Sequence, residues 1–298
     1  VYRSKDDFSR LCPFTLFLYY AVLLAASAFT LHPICIAVGV VGECCYAARL
    51  SHGRFFRKAP LFVLPGFAAA LINVLFNHRG VTVLFRLPSG NAVTLEAIYY
   101  GAAAAFTLIG LCIGYYCFAM LFTTDKLTGL FSRFLPVISV MLSMILRFIP
   151  LFVRRFKKIN EARKALGKGT SARGVIAKLR ELAVIFTILI GSALEGSLVT
   201  ADSMKSRGYG LSGRTSYARI RPAAADCAVC CLSAILGGVC IFGAASGRMD
   251  CVYYPRLTLP KADAAFWGLV VSYALLVFIP LIYDAMEGVK WRSRVSKI

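Results

Sequence analysis

Five apolar stretches, approximately 14–30, 34–50, 97–122, 224–245 and 264–286, are each long enough to cross a lipid bilayer. A hydrocarbon core of roughly 30 Å asks for about 20 such residues at 1.5 Å each, with about 17 as the lower limit. A sixth stretch, 61–77, is interrupted by Pro65 and Gly66. Such breakers are tolerated where neighbouring helices satisfy the freed backbone groups. Composition agrees: the 298 residues are 59% hydrophobic and 16% charged, whereas a soluble domain carries about 45–50% apolar and 25% charged residues. The reading is an all-α integral membrane protein with about six transmembrane helices. Eleven cysteines and three histidines show no zinc spacing, and hydrolase, dehydrogenase and disulfide-scaffold readings find no support. Arg3, Lys5 and Arg10 precede the first stretch, and Ala25-Ala26-Ser27-Ala28 resembles a signal-peptide cleavage region. Asp6 and Asp7 in front, and a second span directly after His32-Pro33, favour a retained helical hairpin.

Two further apolar runs, 134–153 and 182–201, decide the topology, and charge arbitrates. If neither spans, 29 of the 34 Lys and Arg residues fall on one side, in segments 1–12, 49–59, 123–222 and 287–298. If both span, residues 154–180 are exported with ten basic residues, against the enrichment of Lys and Arg in cytoplasmic loops. The six-span topology is therefore expected, with both termini and the basic segment 123–222 in the cytoplasm. Three regions follow: residues 1–122 with four transmembrane helices, 123–222 on the water side, and 223–298 with two more helices and a basic tail. In the outer loop 79–95, β-branched runs flank Pro88-Ser89-Gly90-Asn91 and predict a small hairpin that caps the bundle.

The basic segment is patterned. Ser139, Ser143 and Arg147 recur every four residues and give the first run one polar helix face. Ser192, Gly196 and Thr200 form a row of small residues on the second, suited to close approach. Two long helices that cross are expected, the first closing at Gly167 and the second at Gly208. Arg207 in the last turn complements the helix dipole. Arg147 and Glu195 are expected to pair near the crossing. Glu43 stands within a span, where a carboxylate costs several kcal/mol unless neutral or paired; it either meets a partner or carries a proton.

Asn77-His78-Arg79-Gly80-Val81-Thr82, Thr94-Leu95-Glu96-Ala97, Thr124-Asp125-Lys126-Leu127, Leu135-Pro136, Ser143-Met144-Ile145-Leu146-Arg147-Phe148-Ile149-Pro150 and Ala201-Asp202-Ser203-Met204-Lys205-Ser206-Arg207-Gly208-Tyr209 occur in that order. Together they resemble the transmembrane T component of energy-coupling factor transporters, the relatives of the cobalt-transport permease component. The resemblance covers roughly residues 10–240. It implies two long cytoplasmic coupling helices, each ending in an Ala-Arg-Gly-like tripeptide that docks on one of two ABC-type ATPases. The second tripeptide is then Ser206-Arg207-Gly208. The first aligns with Ala165-Leu166-Gly167, where leucine replaces the arginine and Arg163 and Lys164 lie within one turn to supply a cation. A separate S component would bind the vitamin or transition-metal ion. ATP and Mg would belong to the ATPases, so that this chain is a non-catalytic subunit of a prokaryotic plasma membrane importer that binds no cofactor or metal, with lipid but no nucleic acid among its partners.

Other motifs weigh less. Gly208-Tyr209-Gly210-Leu211-Ser212-Gly213 has dinucleotide-fingerprint letters but follows a helix instead of a strand. Gly167-Lys168-Gly169-Thr170 lacks phosphate-loop spacing, and Ala172-Arg173-Gly174 lies beyond the glycine break. Cys227, Cys230 and Cys231 read as buried small hydrophobes, Asp226 as interfacial, and His32, His52 and His78 fall in different loops. A self-contained carrier would need a midplane polar site and repeat symmetry. A membrane enzyme would need clustered acid or histidine at the interface, and the fourteen acidic residues are scattered.

Overall fold

The structure, a computed structural model, describes residues 8–51, 54–77, 80–86, 92–134, 136–167, 174–209, 211, 223–249, 251–254, 258 and 263–295. His52, His78, Lys168–Thr170, Ala172 and Arg173 lie outside them. The described helices are α1 (Pro13–Phe29), α2 (Pro33–Leu50), α3 (Arg54–Phe76), α4 (Leu95–Leu121), α5 (Thr124–Phe134), α6 (Pro136–Ala165), α7 (Val175–Ser206), α8 (Ala224–Ala245) and α9 (Ala264–Val295). The chain divides into two compact units, Val1–Thr123 with Arg221–Ile298, and Thr124–Ile220.

In the first unit, Pro13 and Pro33 open α1 and α2, where a missing N–H costs nothing. Neighbour packing runs α1 to α4 to α2 to α9 to α8 and back to α1, so five helices close a ring; α3 leans chiefly on α4. Tyr19, Tyr20, Leu16 and Leu276 fill the interior. Small residues set the close approaches. A Cβ on Gly66 would stand 2.6 Å from the Ile109 side chain, and one on Gly237 would overlap Val22. Two aspartates fasten the N-terminal segment: Asp284 of α9 accepts from the Phe8 N–H at 3.0 Å, and Asp226 of α8 from the Cys12 N–H at 2.7 Å. Asp226 also accepts from the Ala223 N–H at 2.7 Å and so caps its own helix. It stands in the first turn of α8, at the entrance of that apolar helix, and is buried against protein.

The hairpin forms as predicted, with β1 (Val83–Arg86) antiparallel to β2 (Ala92–Thr94) and a bulge between Val83 and Phe85. It runs directly into α4, where Glu96 accepts from the Thr82 hydroxyl at 2.7 Å. At another loop, Tyr253 donates to the Leu31 carbonyl at 2.8 Å and Asn77 to the Tyr254 hydroxyl at 2.9 Å.

Among the described residues, seven helices are long and apolar enough to cross a membrane: α2, α3, α4, α6, α7, α8 and α9. Five of the six expected spans are among them, and the other, α1, is apolar but only 17 residues long. Length and composition thus also admit α6 and α7, the two runs expected from charge on the water side. Phe56, Leu61, Phe67 and Phe76 of α3 point outward, as lipid contact permits. Cys227 and Cys231 also face outward on α8, not inward as expected, and both are free thiols.

Candidate coupling site

The second unit is built of α5, α6 and α7. The Ser139 hydroxyl donates to the Thr128 carbonyl at 2.9 Å and so fastens α6 to α5. Helices α6 and α7 run antiparallel. Near the end of α6, Arg163 donates through Nε at 3.0 Å and Nη2 at 2.6 Å to one carboxylate oxygen of Glu181. Further back, Arg155 reaches the Ser192 carbonyl at 3.4 Å and passes Gly196, where a Cβ would stand 3.9 Å from the guanidinium, in ordinary contact. The row of small residues therefore does face α6, but what approaches it is an arginine head. Ile185 is the fully buried residue of α7.

This register corrects one expected pair. With Arg163 beside Glu181 and Arg155 beside Ser192, Glu195 lies level with Leu151 and Phe152, about one turn beyond Arg147. Among the described residues Arg147 and Glu195 form no ion pair with each other. Arg147 instead lines an open groove of about 640 Å³ together with Arg154, Arg207, Met144, Phe148 and Val199.

The two expected tripeptides end their helices in the same way. In α7, Ser206 is the last helical residue, Arg207 the C-cap and Gly208 the left-handed residue at φ 73°. The Gly208 N–H donates to the Lys205 carbonyl at 2.9 Å and the Tyr209 N–H to Met204 at 3.0 Å, the paired bonds of a Schellman stop. In α6, Ala165 is last, Leu166 follows, and Gly167 has φ 72° with its N–H on the Lys164 carbonyl at 3.0 Å. Leu166 and Arg207 thus hold equivalent places, one residue before a glycine turn. Leu166 is 77% exposed, an unusual setting for a leucine, and Arg207 is also exposed. Because the helices are antiparallel, the tips lie at opposite ends of the pair, roughly 40 Å apart at 1.5 Å per residue.

Of the nearby cations, Lys164 extends into solvent, while Arg163 is only 19% exposed and is engaged by Glu181. That engagement assigns Arg163 a role inside the unit. Sequence reading missed Glu181, because an ion pair between two helices depends on their register. Glu43 belongs to the first unit. It lies on the inward stripe of α2 formed by Cys35, Ile36, Gly39, Gly42, Glu43 and Tyr46, is 5% exposed, and neither carboxylate oxygen has a hydrogen-bond partner.

The sequence pattern of the CbiQ family, described as cobalt transport protein, matches residues 9–217. The chain belongs to this family. Three relatives are each named energy-coupling factor transporter transmembrane protein EcfT. The Streptococcus thermophilus protein is 36% identical over 84 residues, 28% of this chain and 32% of that protein. The Lactobacillus helveticus protein is 33% identical over 81 residues, 27% and 29% of the respective chains. The Thermosediminibacter oceani protein is 28% identical over 147 residues, 46% of this chain and 56% of that one. The chain thus aligns with about a third to just over half the length of these relatives. As a member of this family with seven apolar helices of membrane-crossing length among its described residues, it is a multi-pass membrane protein.

Proposed function

We propose that this chain is the membrane scaffold of an importer of the energy-coupling factor type, which passes the work of ATP hydrolysis in two partner ATPases to a separate S component. The cargo class is a vitamin or a transition-metal ion. In this reading residues 123–222 lie in the cytoplasm, both termini are cytoplasmic, and the membrane is the prokaryotic plasma membrane. The chain binds neither ATP nor Mg and performs no chemistry. The carrying observation is the matched pair of helix ends, Leu166-Gly167 and Arg207-Gly208, set at opposite ends of an antiparallel pair.

The physics is that of a lever. A helix stopped by a Schellman turn holds its C-cap side chain in a fixed direction. A guanidinium there can grip an acidic pocket by planar, bidentate hydrogen bonds, which a flexible lysine cannot reproduce. At the α6 tip the exposed leucine offers an apolar contact, with Lys164 beside it as the available cation. Coexpression with ATPase subunits of the energy-coupling factor type tests the reading. Arg207→Glu should cut ATPase co-purification at least tenfold while membrane insertion is unchanged; retained association and uptake would remove the proposed role. Leu166→Arg should strengthen retention.

A further inference from the structure

The ring of the first unit encloses a carboxylate that the lever does not use. Glu43 sits where α2 meets α4, and Gly110 and Gly114 of α4 leave the space it occupies: a Cβ at those positions would stand 3.3 Å from Oε2 and 3.1 Å from Oε1. Two small cavities of about 10 Å³ each adjoin it, each the room of one water or one small ion.

The donor arithmetic of the first cavity points one way. Its hydroxyls belong to Ser27 and Thr30 on α1 and its C-terminal edge, Thr107 on α4 and Tyr273 on α9. Ser27 donates to the Leu23 carbonyl at 2.9 Å, Thr30 to Ala26 at 2.7 Å and Thr107 to Ala103 at 2.9 Å. With the Ser27 proton spent, the 3.0 Å contact with Tyr273 must run from the tyrosine hydroxyl to Ser27. Every hydroxyl proton is committed, and the cavity meets Glu43 with lone pairs only. The other cavity adds Tyr19, Tyr20, Tyr46 and Cys117. The Tyr19 hydroxyl donates to the Leu276 carbonyl at 3.2 Å. Neither cavity is lined by Lys, Arg or His. The titratable groups facing Glu43 are therefore Tyr19 and Tyr20 of α1, Tyr46 of its own helix, Cys117 of α4 and Tyr273 of α9.

The hydroxyls of the first cavity thus turn lone pairs toward a buried carboxylate whose cavities no Lys, Arg or His lines, while the Tyr20 hydroxyl of the second cavity keeps its proton to donate. We propose that Glu43, with the hydroxyl oxygens of Ser27, Thr30 and Thr107, forms an internal site for one monovalent cation, taken as a proton on the carboxyl group or as a sodium ion. The pocket suits either: a carboxyl proton finds waiting acceptors, and a sodium ion takes hard oxygen ligands without changing their protonation. This site stands independently of whether the long helices meet ATPases.

The test uses the full chain reconstituted in lipid. Thermal stability is followed while choline chloride is replaced by sodium chloride, and infrared difference spectra record protonated carboxyl groups. Sodium as the ligand gives a saturable rise in Tm that potassium does not reproduce. That rise disappears in Glu43→Gln, and its sodium midpoint moves roughly tenfold or more in Thr107→Val. A proton as the ligand gives no sodium effect but a protonated carboxyl band that is absent from Glu43→Gln and shifted in Thr107→Val. If neither sodium stabilisation nor a Glu43-dependent carboxyl band is found, the proposal is overturned. Thr107→Val keeps the carboxylate and the helix packing, so the test survives if Glu43→Gln does not fold.

Discussion

Arg163 and Glu181 are each about four-fifths buried and bonded in a charge-assisted fork, so breaking one partner strands the other in a poorly solvated place. Arg163→Glu and Glu181→Arg should each lower stability, and the double exchange should recover most of it, with a coupling of about 1–3 kcal/mol in a double-mutant cycle. Additive losses would show the fork to be incidental. His32 is a second such case. It caps α2 by accepting from the Ile34 N–H at 3.3 Å and lies 4.7 Å from the Phe266 ring. Burial pushes its imidazole below the ordinary 6.5. Above that value the ring is neutral in folded and unfolded chains alike. As pH falls below it, the unfolded chain takes up a proton that the folded chain resists, and stability declines. Unfolding followed from pH 8 downward should show this decline, and His32→Asn, which retains an acceptor for the cap, should flatten it. Residue roles were only partly legible in the sequence. Arg207 and its glycine announced themselves, because a helix stop is local. The partners of Arg163 and Arg147 did not, because opposing residues on two helices are set by a register that depends on the packing of both.

Elements were more legible than contacts. The spans 34–50, 97–122 and 224–245 differ from α2, α4 and α8 by at most two residues at either end, because a bilayer-length apolar run leaves the backbone few alternatives. Helix α3 begins at Arg54, well before the expected 61, with Pro60 and Pro65 inside it. Helix α9 continues past 286, where the Lys290–Glu287 pair at 2.8 Å supports a polar extension. The separate α5 escaped notice, because eleven residues of mixed polarity carry no span-length signal. Close approach between elements is testable at α1 and α8. A methyl group at position 237 overlaps Val22, so Gly237→Ala should destabilise by about 1–3 kcal/mol, read as a lower Tm in detergent; an unchanged Tm would mean that the two helices part without cost.

For the molecule as a whole, the charge asymmetry makes the sidedness of 123–222 the decisive measurement. Trypsin added to inside-out vesicles should cleave among the ten basic residues of 154–180, while sealed right-side-out vesicles protect them; the opposite pattern would end the scaffold reading. Both spacing and direction matter in the α6–α7 pair. A rod gripped at one end can swivel about its support, whereas one gripped at both ends has its heading fixed as well as its position. If both tips are held as proposed, stops some 40 Å apart and pointing oppositely let the pair convert a change in separation between its two supports into a turn.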